Sequence, residues 1–214
     1  MPVKILGIDP GSRATGVAIL EESDGALVAS LCDVIRTDSL EHHPDRLQAI
    51  FEQISGIIKE FQPSHCAIET PVYGVDPLAM LKLGRAQAAA ILAATNEGLV
   101  ISEYYPKAVK KAIVGNGNAS KQQVAFMLQK LVRLPKKDLP MDATDALGIA
   151  FCHHTHLLRT IITRAGENST EMASSTENKM QLLFQKKYHQ NNRVNNWTAF
   201  VRNNPDRIRS KDDK

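Results

Sequence analysis

The chain has 214 residues, 43% of them hydrophobic and 23% charged, with a formal net charge of +3. That length and apolar content suffice for one hydrophobic core of ordinary domain size. Its longest apolar stretch is too short to span a bilayer, and we expect no signal peptide. The three cysteines are scattered without a CxxC pair, so we expect free thiols in a cytoplasmic protein.

Short apolar runs bounded by turn residues predict five strands, over residues 3–9, 15–20, 26–36, 65–69 and 99–105. Short turns join the first three strands, which favours an antiparallel meander. Helical periodicity and a Ser120 cap predict helices over residues 44–61, 78–96, 106–114, 121–132 and 142–158. This order predicts an α/β protein, with a mixed five-stranded sheet and helices on both faces.

The composition divides the chain into a core domain, 1–158, and a polar, basic C-terminal extension, 159–214. Residues 165–179 are rich in Ser, Thr, Glu and Asn, which is typical of a linker or of disorder. Residues 180–189 predict a short helix, and Trp197 and Phe200 could form a small apolar contact. The extension is either a partly disordered tail with a terminal anchor or a basic arm that adds phosphate contacts.

Four carboxylates stand in unusually apolar or small-residue contexts. Asp9 and Glu69 each end a predicted buried strand, and Asp142 and Asp145 lie three residues apart on the last predicted helix. An i,i+3 spacing places both aspartates on one helix face. Buried anions are costly unless they are paired or bind a metal ion. The four together predict a site for two hard divalent cations and phosphoryl-transfer chemistry.

Basic residues cluster in the middle of the chain. Residues 82–137 contain ten Lys and Arg against two acidic residues, and residues 159–214 contain eleven against six. A basic band beside an acidic focus is typical of an enzyme that binds a nucleic acid and cleaves it with metal ions. Individually, each lysine is as well explained by a solvated helix face.

Four segments together resemble the RuvC family of bacterial crossover-junction endodeoxyribonucleases, over residues 3–156. They are Ile5–Ser12 (ILGIDPGS), Ala67–Glu69 (AIE), Leu81–Gln87 (LKLGRAQ) and Met141–Ala146 (MDATDA). The resemblance implies a ribonuclease H-like fold and a homodimer that resolves Holliday junctions by paired nicks during recombination and DNA repair. It also implies Mg²⁺ dependence, with Mn²⁺ as a substitute, and the branch-migration proteins RuvA and RuvB as partners.

By the same resemblance, the metal ligands and catalytic residues would be Asp9, Glu69, Asp142 and Asp145. Lys110 and Lys121 match basic positions that approach the DNA near the scissile phosphate, and Lys82 and Arg85 are weaker candidates for DNA contact. The loop after Glu69 departs from the family pattern, because its aromatic residue is displaced to Tyr73 and Val75 occupies a basic position. Tyr73 is either a residue that stacks on junction bases or a packed loop tyrosine.

Parts of the sequence are also compatible with functions other than that of a Holliday junction nuclease. An ATP-binding protein of the actin and Hsp70 type also has a glycine-rich turn after a strand, but 214 residues cannot hold its doubled domain. A catalytically altered paralogue, or one specific for a different branched DNA, stays open because the loop after Glu69 is altered. The helix over residues 78–96 is a candidate dimer interface, or it is buried within the monomer. Cys152 and its neighbouring histidines do not have the spacing of a tetrahedral zinc site.

Overall fold

A computed structural model describes residues 3–72, 76–136 and 138–167. Five strands form one sheet in the order β3-β2-β1-β4-β5. Strands β1, β2 and β3 pair antiparallel, whereas β4 pairs parallel to both β1 and β5. The strand bounds are β1 Lys4–Asp9, β2 Ala14–Ser23, β3 Ala26–Arg36, β4 His65–Glu69 and β5 Val100–Tyr104. The predicted mixed α/β sheet with an antiparallel first half is confirmed.

Five helices complete the described part of the chain: α1 His43–Phe61, α2 Pro77–Asn96, α3 Pro106–Val114, α4 Lys121–Leu131 and α5 Met141–Glu167. Polar side chains cap the N-termini of two of these helices. Asp76 caps α2, and a capping box of Ser120 and Gln123 begins α4, where Ser120 is the predicted cap. None of the described helices has the length and apolar character needed to cross a membrane.

The predicted end of the last helix, near residue 158, was wrong, since α5 continues to Glu167. No glycine or proline lies between Gly148 and Gly166, so the change to polar composition does not stop the helix. The chain divides into two compact units, Met1–Arg159 and Thr160–Lys214. Of the second unit only the end of α5 is described. The first three residues of the predicted linker, 165–167, belong instead to α5. The rest of the linker, 168–179, and the short helix predicted over residues 180–189 lie outside the described residues.

Each face of the sheet is covered by its own hydrophobic core. Alternate strand residues face α1 and α2 on one side, where Ile8 and Ile68 pack against α1 residues such as Ile54. On the other side, Ile5 and Ala67 pack against residues of α3, α4 and α5. The period-2 alternation of β1 and β4 therefore assigns each side chain of these strands to one of the two cores.

Helix α5 lies unusually close to the sheet because two glycines face it. A methyl group at Gly16 would overlap the carbonyl of Asp142, and one at Gly7 would overlap the carbonyl of Ala146. Gly7 belongs to β1 and Gly16 to β2, and both are buried. The first turns of α5 thus rest directly on the backbone of two neighbouring strands, which is possible only where a strand has no side chain.

We expect Gly7→Ala to lower the free energy of unfolding by about 2 kcal/mol or more, because the added methyl forces α5 off the sheet. Gly56→Ala is the matched control, since Gly56 lies on the exposed face of α1 and an added Cβ there meets nothing within 4 Å. That change should stabilise the protein by about 0.5–1 kcal/mol through helix propensity. Urea denaturation of both variants measures the two effects. If both substitutions changed the free energy of unfolding in the same direction, the close packing of α5 would be contradicted.

Candidate active site

Two of the four carboxylates lie side by side at one edge of the sheet. Asp9 ends β1 and Glu69 ends β4, and these parallel neighbours are in register through Ile8 and Ile68. Both side chains point to the face of α5, because each follows, by one position, an isoleucine that packs against the opposite core. Parallel strands end at the same edge, so the pairing of β1 with β4 brings the two acids together.

Helix α5 brings the other two acids to the same place. Asp142 lies in the first turn of α5, directly above Gly16, and Gly16 pairs with Asp9 across β1 and β2. Asp145 follows one turn later on the same helix face. All four carboxylates are half-buried. The positive end of the α5 dipole favours a negative charge at Asp142.

The carboxylates interact strongly with one another. The pKa of Asp9 is raised to about 7, first by burial and then by the charges of Glu69 and Asp145, with a smaller effect of Asp142. Burial and Asp145 also raise the pKa of Glu69. Repulsion of this kind places Glu69, Asp142 and Asp145 near enough to act on the charge of Asp9.

Lysine side chains partly neutralise this negative charge. The Lys121 ammonium forms an ion pair with Asp145 at 2.5 Å and also acts on Asp9 and Glu69, and together these raise the pKa of Lys121. The capping box of α4 holds Lys121 at the first position of that helix. Lys110 of α3 lies close enough to lower the pKa of Glu69, against the effect of burial. Two of the four lysine and arginine residues predicted to contact DNA therefore lie beside the carboxylates.

The other predicted contacts lie elsewhere. Lys82 and Arg85 are exposed on α2, which covers the opposite face of the sheet. They lie near His43 of α1, whose pKa is lowered by burial and then by Arg85, Lys82 and Arg46. The structure therefore separates Lys82 and Arg85 from the carboxylates. Tyr73 lies outside the described residues.

The chemistry of the donors fits a hard divalent cation, since all four are carboxylates and their repulsion would be relieved by added positive charge. They are not arranged as a closed coordination shell. Within residues 3–72, 76–136 and 138–167, no three acidic, histidine or cysteine side chains are close enough together to hold a metal ion. Asp145 is paired with Lys121 instead, and repulsion favours separation of the remaining acids.

Sequence reasoning missed two residues that hold this region together. The Gln87 side-chain amide donates to the Glu69 carbonyl at 3.3 Å and to a Glu103 carboxylate oxygen at 2.9 Å, which joins α2 to the ends of β4 and β5. Tyr104 at the end of β5 is paired in register with Glu69 and donates or accepts a hydrogen bond with His153 of α5. Neither contact has a sequence signal, because both join residues distant in the chain.

The family model described as crossover junction endodeoxyribonuclease RuvC matches residues 5–153. The chain belongs to the RuvC family. This confirms the resemblance carried by the four motifs, and with it the expectation of a nuclease that resolves Holliday junctions. It also decides against the ATP-binding alternative.

Relatives and solved structures agree with the family assignment. The RuvC protein of Salinibacter ruber is 47% identical over 149 residues, which are 70% of this chain and 83% of that protein. The RuvC protein of Porphyromonas gingivalis is 39% identical over 207 residues, 96% of each chain. The structure titled "T. thermophilus RuvC in complex with Holliday junction substrate" matches with a TM-score of 0.67 and 27% identity, covering 72% of this chain and 94% of that one. The fold is therefore ribonuclease H-like.

We expect Asp9→Asn to change the free energy of unfolding of the metal-free protein differently at pH 8 and at pH 4. The change should be more favourable at pH 8 by about 2–4 kcal/mol. The folded pKa of Asp9, about 7, exceeds the ordinary aspartate value of 3.8, so the native state binds more protons than the unfolded state between these pH values. The wild type therefore loses stability through Asp9 as pH rises from about 4 to about 7, whereas the variant keeps only the loss that is due to Glu69. Denaturation in EDTA at several pH values measures this, with the exposed Asp45→Asn as control. A pH-independent difference between wild type and variant would disprove the clustering.

Proposed function

We propose that the chain is a metal-dependent endonuclease that cuts four-way DNA junctions by hydrolysis of phosphodiester bonds. One observation carries the mechanism: Asp9 is acted on by the charges of Glu69 and of the two aspartates of α5, and Lys110 and Lys121 act on the same group of acids. Carboxylates can bind divalent ions while neighbouring lysines bind a DNA phosphate. Membership of the RuvC family supports the choice of substrate.

Four carboxylates offer enough ligands for two Mg²⁺ ions, or Mn²⁺ in their place. We assign Asp9 as the ligand shared by both, since it is repelled by the other three acids. Asp142 and Asp145 would complete one set of ligands and Glu69 the other. Bound divalent ions supply an activated water and stabilise the leaving 3′ oxygen in reactions of this class.

The protein's own groups prepare the site in three ways. Burial keeps Asp9 and Glu69 in a medium where their charges act strongly. The α4 capping box presents the Lys121 ammonium at the edge of the carboxylates, where it can donate to a phosphate oxygen. Lys110 approaches Glu69 from α3 and places a second positive charge on the same side. Together they attract the DNA backbone to the carboxylates.

Further exposed cations lie on these helices and after them. Lys107 and Lys111 belong to α3 and Lys130 to α4, and Arg133 and Lys136 follow α4. Lys82 and Arg85 form a separate basic cluster with Arg46, which supports contact with a different part of a branched DNA molecule. A junction has arms that leave in several directions, so cations on both faces of the sheet suit it better than they suit a linear duplex.

A symmetric homodimer suits paired nicks, because two copies related by a two-fold axis present two equivalent sites. Helix α2 offers a candidate interface. Its buried face packs on the sheet through alanines, whereas Leu78, Leu81 and Leu92 are 69%, 51% and 61% exposed. Their spacing places them along one side of the helix. Large exposed leucines in a row support a second copy of the chain as partner.

We expect Asp145→Asn to lower the rate of nicking of a synthetic four-way junction in Mg²⁺ by about 100-fold or more, because a lost metal ligand removes several kcal/mol of transition-state stabilisation. Junction binding in EDTA should stay equal or tighten, since one negative charge near the DNA is gone. Asp45→Asn, on the exposed first turn of α1, is the matched control and should behave as wild type.

Cleavage by Asp145→Asn at a rate comparable to that of the wild type would contradict the assignment of the site. The wild type should also be compared on linear duplex, flap and three-way DNA. If it binds junctions but cuts neither the four-way junction nor any of these other substrates, the altered-paralogue alternative is correct. Preferential cutting of flaps would change the substrate and leave the metal site in place.

Lys110→Gln should weaken junction binding and lower the slope of log Kd against log salt concentration by about one, because one phosphate contact is removed. Lys59→Gln is the control, since Lys59 pairs with Glu97 and lies on α1, away from the carboxylates. Fluorescence anisotropy with a labelled junction at several salt concentrations measures both. Equal slopes for the two variants would exclude Lys110 as a phosphate contact.

A further inference from the structure

A group of polar rings lies where the fourth turn of α5 meets β4 and β5. The Tyr104 hydroxyl of β5 lies 2.7 Å from His153 Nδ1, and His153 is only 2% exposed. The His153 ring also contacts His65 of β4, with ring centroids 5.0 Å apart. Nothing in the proposed chemistry uses these residues. Burying a polar group is costly unless it is hydrogen-bonded; Nδ1 of His153 has Tyr104 as its partner, whereas Nε2 has none within the described residues.

The pKa values of Tyr104 and His153 determine which of the two groups donates in their hydrogen bond. Burial raises the pKa of Tyr104 to about 12, and burial followed by the neighbouring histidines lowers the pKa of His153 to about 4. Near neutral pH both groups are therefore uncharged, and the protonated Tyr104 hydroxyl can donate to Nδ1 of His153. Such a bond is directional and survives changes of salt concentration, unlike a surface ion pair.

The bond joins α5, which carries Asp142 and Asp145, to β5, the strand that pairs with β4 beside Glu69. On β5, Tyr104 is the register partner of Glu69, and its carbonyl accepts a hydrogen bond of 2.8 Å from the amide of Thr70. On α5, His153 follows Asp145 by two turns of the same helix. A hydrogen bond between Tyr104 and His153 therefore restrains α5 relative to the strand ends beside Glu69.

Helix α5 is thus held at three successive places. Its first turn lies on β2 at Gly16, its second on β1 at Gly7, and its fourth is tied to β5 by Tyr104. The first two contacts limit how closely the helix approaches the sheet. Steric contact of a helix backbone on glycine does not prevent sliding along the helix axis, whereas a hydrogen bond at 2.7 Å does.

We propose that Tyr104 and His153 are positioning residues for the metal site: their hydrogen bond sets where Asp142 and Asp145 stand relative to Glu69. The inference rests on the proposed function, because it assigns the pair a role in forming the ligand set. Loss of the bond lets α5 shift, and the carboxylates then bind divalent ions more weakly. Groups that orient metal ligands typically alter affinity when they are removed.

Tyr104→Phe removes only the hydroxyl and is the principal variant. Tyr105→Phe is the matched control, since it removes the same atom from the adjacent tyrosine, which is 63% exposed. At position 153, His153→Asn keeps a polar group near the place of Nδ1, whereas His153→Leu removes it. All four variants are made in the full chain, and their far-ultraviolet circular dichroism establishes that each is folded.

The first measurement is Mn²⁺ binding to the DNA-free protein, by electron paramagnetic resonance of the free ion. We expect Tyr104→Phe and His153→Leu to weaken binding by about 3- to 10-fold. Tyr105→Phe should match the wild type, and His153→Asn should lie closer to the wild type than His153→Leu. The second measurement is junction nicking against Mg²⁺ concentration. The half-saturating concentration should rise by the same factor, while the rate at saturating Mg²⁺ stays within about 2-fold.

Equal Mn²⁺ affinities for Tyr104→Phe and Tyr105→Phe would overturn the inference. So would a fall in the saturated rate without a shift in the Mg²⁺ dependence, because that pattern indicates damage unrelated to metal binding. A wild type that neither binds Mn²⁺ nor nicks the junction would disprove the proposed function itself. Amide hydrogen exchange over residues 142–146 then decides about positioning: faster exchange in Tyr104→Phe than in Tyr105→Phe supports it, and equal exchange rejects it.

Discussion

Close packing of α5 on the backbone of β1 and β2 is the constraint on which the rest of the structure depends. Gly7 and Gly16 leave no side chain between helix and sheet, so the helix backbone contacts the strands directly. Any other residue at either position would lift the helix by the thickness of a methyl group. The carboxylates of Asp142 and Asp145 would then move away from Asp9, which is a neighbour of Gly16 across the strand pair.

The same packing makes the site electrostatically costly. Half-buried carboxylates from three elements face one another, and both burial and repulsion oppose the ionised form of Asp9. Large hydrophobic cores on the two faces of the sheet offset that cost and hold the acids in place. With a hydrophobic core on only one face of the sheet, the carboxylates would be free to move apart. Proteins commonly accept reduced stability at functional sites, and under the proposed function the same repulsion would be relieved by bound cations.

Lys121 reduces the repulsion among these carboxylates. Its ion pair with Asp145 supplies positive charge where the acids meet, and the ammonium also acts on Asp9 and Glu69. The lysine therefore helps the acids to coexist in the folded chain, and it stands where a phosphate oxygen of a bound DNA strand would need a donor. One side chain thus stabilises the site and, under the proposed function, would also attract the DNA.

Much of this protein could be predicted from its residues. Strand and helix patterns are local, so β3, β4 and α3 were predicted with the bounds that the structure has. The four acids stood out because a charge next to a buried strand is rare. The end of α5 was predicted nine residues too early, because composition is a weaker signal than the absence of a helix breaker. Lys82 and Arg85 were grouped with the other cations, although the sheet separates them from the carboxylates.

By itself, the sequence determined the order of the elements, the family and the identity of the acidic residues, since these depend on local pattern and on motifs. Only the tertiary structure decided which groups meet. The parallel pairing of β1 with β4, the seating of α5 on two glycines and the bond between Tyr104 and His153 all join residues far apart in the chain. Contacts of that kind arise from the packing of whole elements, and no single segment encodes them.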